Sequence, residues 1–296
     1  MSVLSLELKR ALGNRWFVLS LGILTAIALF GAAVRSYVIA GRLNIVTLPY
    51  IDTTYWYLSA FSSFTSWTAV NHLDTATELF FVLVPLLVLM GYSWSLASDL
   101  KSGYFEQLVT RAPRRRCYTA RLLATFTAGG LLVVVPLVLN LMLLSLFLPS
   151  WNPDVVDMFY TTVGGASDVS NNAIFTSLFY ANPALFVAAR VLLDYVLCGL
   201  WATTVLALSI FIRNRVALIV VPYIMLLLAK HLGQRLYVAM RTNGHEGFGF
   251  SLTLFDQLRA APDGFYCPGW LTLLCIALML GISLGLPLLA RKKDIL

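Results

Sequence analysis

The chain has 296 residues, of which 59% are hydrophobic and only 12% are charged. Soluble globular domains are about one quarter charged, so this composition excludes a protein whose whole surface faces water. The formal net charge of +7 would suit a nucleic-acid partner, but in a membrane protein it is more typical of basic cytoplasmic loops. We therefore expect a multi-pass integral membrane protein and no nucleic-acid partner.

Apolar blocks about 20 residues long match the hydrocarbon core of a bilayer and predict six transmembrane helices. An all-α fold is expected because a backbone that faces lipid must satisfy its own hydrogen bonds. The first block follows a basic flank and lacks a small-residue cleavage site, so we interpret it as a retained span and not as a signal peptide. We treat 1–296 as a single transmembrane domain, with spans predicted at about 16–34, 80–97, 122–148, 184–212, 216–240 and 270–290.

The distribution of lysine and arginine predicts that both termini are cytoplasmic. In that orientation the extracellular segments are 36–76, 149–182 and 230–268, and the main inner segment is 98–121. Residues 55–70 are long enough for an interfacial helix but too rich in serine and threonine to be counted as a span, so the stretch is ambiguous. Most of the 21 basic residues then lie on the cytoplasmic side: Lys9, Arg10, Arg15, Lys101, Arg111, Arg114, Arg115, Arg116, Arg121, Arg213, Arg215, Arg291, Lys292 and Lys293.

Residues 1–15 are predicted to form an amphipathic interfacial helix on the cytoplasmic membrane surface, before the chain enters the first span. Leu4, Leu8, Ala11 and Leu12 fall on one helical face, and the charged residues lie mostly elsewhere. The alternative interpretation is a charged flank that only orients the first span.

Arg190 and Asp194 lie four residues apart inside the fourth apolar block. This spacing puts both on one face of a helix, where they can neutralise each other. An intramembrane ion pair invites a functional interpretation, such as a proton relay or a substrate contact. The interpretation we prefer is a structural ion pair that holds neighbouring helices in register.

Motifs for catalysis or cofactor binding are scarce. No glycine in the chain is followed by lysine, so the chain is not expected to bind ATP through a P-loop. His245-Glu246 begins like a zinc-binding HExxH motif, but Gly249 stands at the second histidine position. The four cysteines and three histidines have no metal-ligand spacing. We predict no catalytic residue, no metal site and no cofactor on this chain.

The inner segment 98–121 contains the most informative pattern. Gly103 is expected to end the helix that continues from the second span, and Pro113 to end the stretch that follows. Between them the pattern predicts a helix of about two turns with an apolar patch, and such a patch needs something to pack against. The predicted partner-binding residues are Tyr104, Phe105, Glu106, Leu108, Val109 and Arg111.

Two kinds of partner suit this segment. Anionic membrane lipid would account for Arg114, Arg115 and Arg116, but not for an apolar patch between a glycine and a proline. A docking helix for a soluble protein accounts for both features.

These features together resemble the permease subunits of type-2 ABC exporters, which include export permeases for drugs, antimicrobial peptides and cell-surface polysaccharides. The resemblance rests on the amphipathic N-terminal helix and on a pattern after the second span: an acidic residue, Gly-x-x-Glu-x-Leu, then Pro, Arg and Tyr. The family usually has a small residue between the proline and the arginine, which is missing here. The pattern is formed by Asp99, Gly103, Glu106, Leu108, Pro113, Arg114 or Arg115, and Tyr118.

The resemblance implies that ATP and Mg bind to a separate ABC ATPase subunit, present in two copies. It implies that residues 104–111 are the coupling helix, seated in a groove of that ATPase. A second permease, identical or homologous, would pair with this chain and enclose the substrate path. The expected function is export of an amphipathic or hydrophobic substrate, a drug or antimicrobial peptide being favoured, across the plasma membrane of a bacterium.

Two alternatives belong to other classes. An ion-coupled secondary transporter would use Arg190 and Asp194 and would need no ATPase. A membrane-embedded enzyme that modifies lipids would need Asp, Glu or His residues clustered at one membrane face, and the candidates in this sequence are scattered.

Overall fold

The computed structural model describes residues 3–46, 62–70, 74–111, 113–148, 174–212, 214–242, 253–259 and 269–292. All regular secondary structure in these ranges is helical. Six helices are long and apolar enough to cross a membrane. The predicted all-α class and the number of candidate spans are therefore confirmed.

Eleven α-helices and one π-helical segment follow one another in the described residues. Residues Thr75 to Ser102 form the second candidate span, which is interrupted by the π-helical segment at Leu89–Ser93. The α-helices are α1 (Val3–Leu12), α2 (Arg15–Val46), α3 (Thr75–Val88), α4 (Ser95–Ser102), α5 (Tyr104–Arg111), α6 (Arg114–Phe147), α7 (Thr176–Ala181), α8 (Pro183–Leu208), α9 (Arg215–Thr242), α10 (Leu254–Gln257) and α11 (Gly269–Lys292).

Most of the long helices run beyond the apolar blocks that predict them. The first span continues past Arg35 to Val46, and α6 already begins at Arg114. The fifth reaches Thr242, so it continues past Lys230 as expected. The fourth ends at Leu208, earlier than predicted. Helix ends extend into polar sequence because backbone hydrogen bonding continues after the apolar stretch has ended.

We name two ends of the bundle by the elements that meet there. At the proximal face, α1 and α5 lie beside the end of α4 and the start of α6, as shown by contacts of Asp99 with Arg10 and Arg121. At the distal face, Arg35 of α2 meets Asp74 at the start of α3. Basic residues therefore occur at both ends of the bundle, and Arg35 is buried within a helix and does not lie in a loop.

Close packing of α6 against α8 forms the centre of the bundle. A Cβ atom on Gly129 would lie 2.7 Å from Ala202 Cβ and 3.0 Å from the carbonyl oxygen of Cys198. Gly199 faces Phe126 in the same way. Glycines at these positions let the two backbones approach, which is how membrane helices gain van der Waals contact.

The outer helices are packed far less tightly. In the most apolar window of the second span 67% of residues are buried, against 6% in the fifth. Gly281 and Gly285 of α11 have the GxxxG spacing of a packing motif, yet a Cβ added to either would meet no neighbouring helix of the described residues within 4 Å. Helices α9 and α11 therefore have broad apolar surfaces that the described residues leave uncovered.

Residues 62–70 form a series of turns that is buried at the distal face. The indole N–H of Trp67, which is fully buried, donates to the carbonyl of Leu137 at 2.9 Å. Asn140 donates its side-chain N–H to the carbonyl of Ala28 at 2.6 Å, so α2 and α6 are linked beside this segment. Irregular backbone is tolerated at such a position when protein surrounds it. The described part of the ambiguous stretch 55–70 is therefore a buried plug, while residues 55–61 lie outside the described residues.

Arg35 holds this plug to the helices. Its Nε lies 3.1 Å from Asp74 Oδ2, and Nη2 donates to the hydroxyls of Thr68 and Thr77 at 3.0 and 2.8 Å. Nη1 donates to the carbonyl of Ser66. The charge of Arg35 is thereby neutralised, and a loop carbonyl gains a donor that helix geometry does not supply.

The glycine contacts predict that a change from glycine to alanine affects stability differently at two positions. Gly129→Ala should lower the free energy of unfolding by about 1–3 kcal/mol, because the new methyl group meets Ala202 and a backbone carbonyl. Gly281→Ala, on the open face of α11, should be neutral or slightly stabilising, since alanine is the better helix former. Unfolding in detergent, followed by tryptophan fluorescence, measures both. Equal stability of the two variants would contradict the close α6–α8 packing.

Candidate functional site: a buried ion cluster beneath α5

Helix α5 is separated from its neighbours by two residues with defined backbone geometry. Gly103 ends α4 in the left-handed conformation, with φ of 73°, which glycine adopts without the steric penalty of a side chain. Pro113 precedes the first residue of α6 with φ of −56°. The short helix predicted between this glycine and this proline is therefore present at Tyr104–Arg111.

The apolar side of α5 packs against the chain itself. Phe105 is buried in a cluster with Leu96, Cys117, Leu206 and Ile210. Leu108 and Val109, which also belong to the predicted patch of α5, are half-buried against the same cluster. Tyr118 and Leu122 of α6 pack there as well.

The exposed edge of α5 is polar. Glu106, Gln107 and Thr110 are exposed, while Tyr104 is half-buried. Of Arg111 only the backbone is described. The apolar patch that suggests a docking helix thus has a covering within this chain, and the surface left for another molecule is the row of polar side chains.

Directly beneath α5 lies a cluster of two arginines and two carboxylates, which we call the ion cluster. Arg121 of α6 is fully buried; its Nη2 lies 3.0 Å from Glu7 Oε1 and 2.6 Å from Asp99 Oδ2. Arg10 binds Asp99 through two parallel hydrogen bonds of 2.6 and 2.7 Å. The hydroxyl of Tyr92 donates to Glu7 Oε2 at 2.8 Å.

The charges of the ion cluster cancel, because two guanidinium groups face two carboxylates. A charge buried without its partner costs several kcal/mol, whereas in a paired and hydrogen-bonded set the mutual attraction offsets much of the cost of desolvation. Arg10, the most exposed member, gains a bidentate partner of the strong arginine–carboxylate type. The hydrogen bonds to Asp99 raise the pKa of Arg10 above its usual value, so Arg10 stays protonated at any physiological pH.

The same arginines contact the aromatic rings of α5. The guanidinium carbon of Arg10 lies 4.9 Å from the ring centroid of Tyr104, and that of Arg121 lies 5.8 Å from the centroid of Phe105. Both distances are within the range of cation–π attraction. Together with the apolar cluster around Phe105, the ion cluster therefore joins α5 to α1, to the end of the second span and to α6.

Helix α1 is buried on the side that carries Glu7 and Ala11. Leu4 and Leu8 are half-buried, and Leu12 is exposed. A helix is thus present as predicted, but one of its faces packs against α6 through the Glu7 side chain.

The junction between α1 and α2 is fixed to the π-helical segment. Asn14 donates its side-chain N–H to the carbonyl of Gly91 at 2.9 Å. Its side-chain oxygen accepts from the backbone N–H of Trp16 at 3.3 Å, as a helix N-cap does. A Cβ on Gly91 would lie 2.7 Å from Leu132 Cδ1, so α6 packs closely on the same turn.

The Arg190–Asp194 pair is a second site, near the distal face. Arg190 Nη2 lies 3.1 Å from Asp194 Oδ1, and both side chains are buried. The same Nη2 donates to the carbonyl of Gln257, and the Gln257 side chain accepts from Thr272 of α11. The pair therefore connects α8 to α10 and, through Gln257, to α11, as an ion pair that holds helices together would.

Neither a nucleophile-elbow site nor a metal site is formed by the described residues. Residues 281–285 read Gly-Ile-Ser-Leu-Gly and so match the nucleophile-elbow pattern GxSxG, but that motif needs a strand–turn–helix. Here the pattern lies inside α11, and the hydroxyl of Ser283 donates to the carbonyl of Leu280. In the described ranges no three His, Cys, Asp or Glu side chains are grouped to hold a metal ion; His245 and Glu246 lie outside those ranges.

Comparisons with family models, with curated proteins and with solved structures found no match to this chain.

The ion cluster predicts an unequal response to single and paired substitutions. Arg121→Met should lower the free energy of unfolding by about 3–5 kcal/mol, because the Glu7 carboxylate stays buried without its cation. The double variant Glu7→Gln/Arg121→Met should lose less than Arg121→Met alone, since Asp99 keeps Arg10. Arg116→Met, at an exposed position, serves as the control. If Arg121→Met were no more costly than the control, the cluster would not stabilise the fold.

The Arg190–Asp194 pair gives a parallel prediction. Asp194→Leu should destabilise by about 3–5 kcal/mol because it leaves the Arg190 guanidinium buried without a counter-charge. Arg190→Met/Asp194→Leu should regain most of that loss, since apolar residues of similar volume often replace a buried pair at little cost. Denaturant titration of the purified variants measures both effects. A double variant as stable as the parent but inactive in transport would instead indicate a functional role for the pair.

Proposed function

We propose that this chain is the membrane-spanning permease subunit of an ABC exporter, with its proximal face in the cytoplasm. The observation that carries the proposal is α5: a short helix held between the second and third spans, with a polar edge exposed and its other side joined to the ion cluster. A helix in that position would be displaced by a protein bound outside the membrane, and its displacement would move α1, the end of the second span and α6.

The sequence supports a separate ATPase. No P-loop pattern occurs in the 296 residues, so ATP and Mg would bind to a partner subunit. The proximal face collects the ends rich in lysine and arginine, which favours a cytoplasmic position by the positive-inside rule. ATP hydrolysis by two ATPase subunits would then move α5 of each permease.

The exposed edge of α5 refines which residues would face the ATPase. Glu106, Gln107 and Thr110 point away from the chain, and they would make the first contacts. Phe105 and Leu108 would act by packing, because they connect α5 to the core cluster that contains Leu206 of α8. Displacement of α5 would therefore be transmitted to α6 and α8, the two helices at the centre of the bundle.

The uncovered helices are consistent with a second permease subunit. Few residues of α9 and α11 are buried by this chain, and their apolar surfaces suit lipid or the same helices of a second copy. A path between two such subunits would be lined mainly by aliphatic side chains. That lining favours an amphipathic or hydrophobic substrate, such as a drug or antimicrobial peptide, in a bacterial plasma membrane.

The test uses a variant that alters the exposed edge and leaves the packed side intact. Gln107→Arg should reduce the amount of co-purifying ATPase by at least about tenfold, the factor that corresponds to a loss of about 1.4 kcal/mol of binding free energy. The ATPase is identified as a second polypeptide that is labelled by a photoreactive ATP analogue. A Phe105 variant would not test docking, since its ring is buried in the chain's own cluster.

Thr119→Arg is the matched control, because Thr119 is also exposed near the proximal end of α6. It adds the same charge to the same face and should leave the ATPase bound. Two results would refute the proposal: transport by the purified chain without ATP, or no nucleotide-labelled polypeptide with the parent protein.

A further inference from the structure

Three open cavities meet at the proximal face, between the start of α2, the end of the second span and the start of α9. Their volumes are about 880, 380 and 250 Å³. Ser98 lines the first and second, Trp94 the second and third, and Arg215 the first and third. The three cavities are therefore neighbours that share walls, and we call them together the proximal groove.

Among the described residues, all charged side chains that line the proximal groove are basic. Arg10 is neutralised by Asp99, but the others form no ion pair with any carboxylate of the described residues. Hydroxyl and amide groups of Ser98, Ser102 and Asn214 lie among them. The basic residues are Lys9, Arg10, Arg15, Lys101 and Arg215.

The smallest cavity is lined mainly by apolar side chains, with Arg215 as its charged member. Met90 lies one turn before Trp94 in the second span, and Ile219 lies one turn after Arg215 in α9. The Arg215 guanidinium stacks 4.9 Å from the Trp94 ring centroid and donates to Ser98 at 2.6 Å. Trp16, at the beginning of α2, completes the apolar wall. Indoles beside cations at the ends of spans are typical of the membrane interface.

We propose that the proximal groove binds a phospholipid with an anionic headgroup, whose phosphate lies among the uncompensated cations and whose acyl chain begins on the apolar wall. Phosphate suits arginine and lysine through charge and hydrogen bonding. A free anion would leave the apolar wall unoccupied, and a zwitterionic lipid would leave the excess positive charge unneutralised. Arg114, Arg115 and Arg116 do not line this groove.

A bound lipid would connect α9 to the rest of the bundle. Helix α9 is the least buried span, and at its proximal end Arg215 contacts Ser98 and Trp94. A phosphate shared by Arg215 and Lys101, which line the same cavity, would add a link between α9 and α4. This inference does not depend on the proposed transport function.

The experiment is native mass spectrometry of the purified full-length chain, with dioleoyl phosphatidylglycerol and dioleoyl phosphatidylcholine as probes. The parent should bind the first phosphatidylglycerol at least about tenfold more tightly than phosphatidylcholine, and Lys101→Gln/Arg215→Gln should weaken it about 25-fold, or about fivefold for each cation removed. Binding of phosphatidylcholine should not change. Arg114→Gln/Arg115→Gln removes two charges from the same face outside the groove and should leave the first site unaffected.

Three outcomes would overturn the proposal: equal affinity for the two lipids, equal weakening in the control variant, or displacement of phosphatidylglycerol by inorganic phosphate at equal concentration. The last would show an anion site and not a lipid site. Lys101→Gln alone keeps the test valid if the double variant fails to fold, because Lys101 is exposed. Its expected effect is the loss of about fivefold in affinity that a single cation accounts for.

Discussion

Arg121 brings a guanidinium group into the interior of a helix bundle, where a cation without counter-charge would cost several kcal/mol. Two carboxylates neutralise it, one from α1 and one from α4. Because Glu7 is required there, α1 must present its buried face to α6. Because Asp99 is also required there, the end of the second span is fixed beside α1 and α6. The arrangement of the proximal half follows from this one charge.

The distal half uses arginine in a related way. Arg35 and Arg190 each pair with an aspartate and also donate to a backbone carbonyl of a segment outside the long helices, Ser66 in the plug and Gln257 in α10. Carbonyls in such segments lack the partners that an α-helix provides and cannot be left unsatisfied away from water. An arginine with five donors serves the carboxylate and the carbonyl together. Each short segment is thereby attached to a specific long helix.

The sequence predicts those features that depend on neighbouring residues. Apolar blocks reveal the six helices, Gly103 and Pro113 delimit α5, and the four-residue spacing brings Arg190 to Asp194. The sequence cannot show what covers an apolar patch, so its pattern predicts a partner for Phe105 although the chain itself buries that ring.

Long-range pairs are the part that local patterns do not contain. Glu7 and Arg121 are 114 residues apart, and no periodicity connects them. A signal is nevertheless present, since Glu7 occupies the helical stripe between Leu4 and Ala11, and a carboxylate in an apolar stripe requires a cation from elsewhere. Trp67 gives no comparable signal, because aromatic and hydroxyl residues suit both an interface and a buried turn.

The π-helical segment at Leu89–Ser93 accommodates one residue more than a regular helix would hold in the same length. An α-helix rotates about 100° per residue, so relaxation of this segment to α-helical geometry would turn α4 by about that angle around its axis. Asp99 would then swing away from Arg10 and Arg121 together. The hydrogen bond from Asn14 to Gly91 therefore has a second role besides joining two helices. By holding the π-helical segment, it keeps α4 at the rotation that points the Asp99 carboxylate into the bundle.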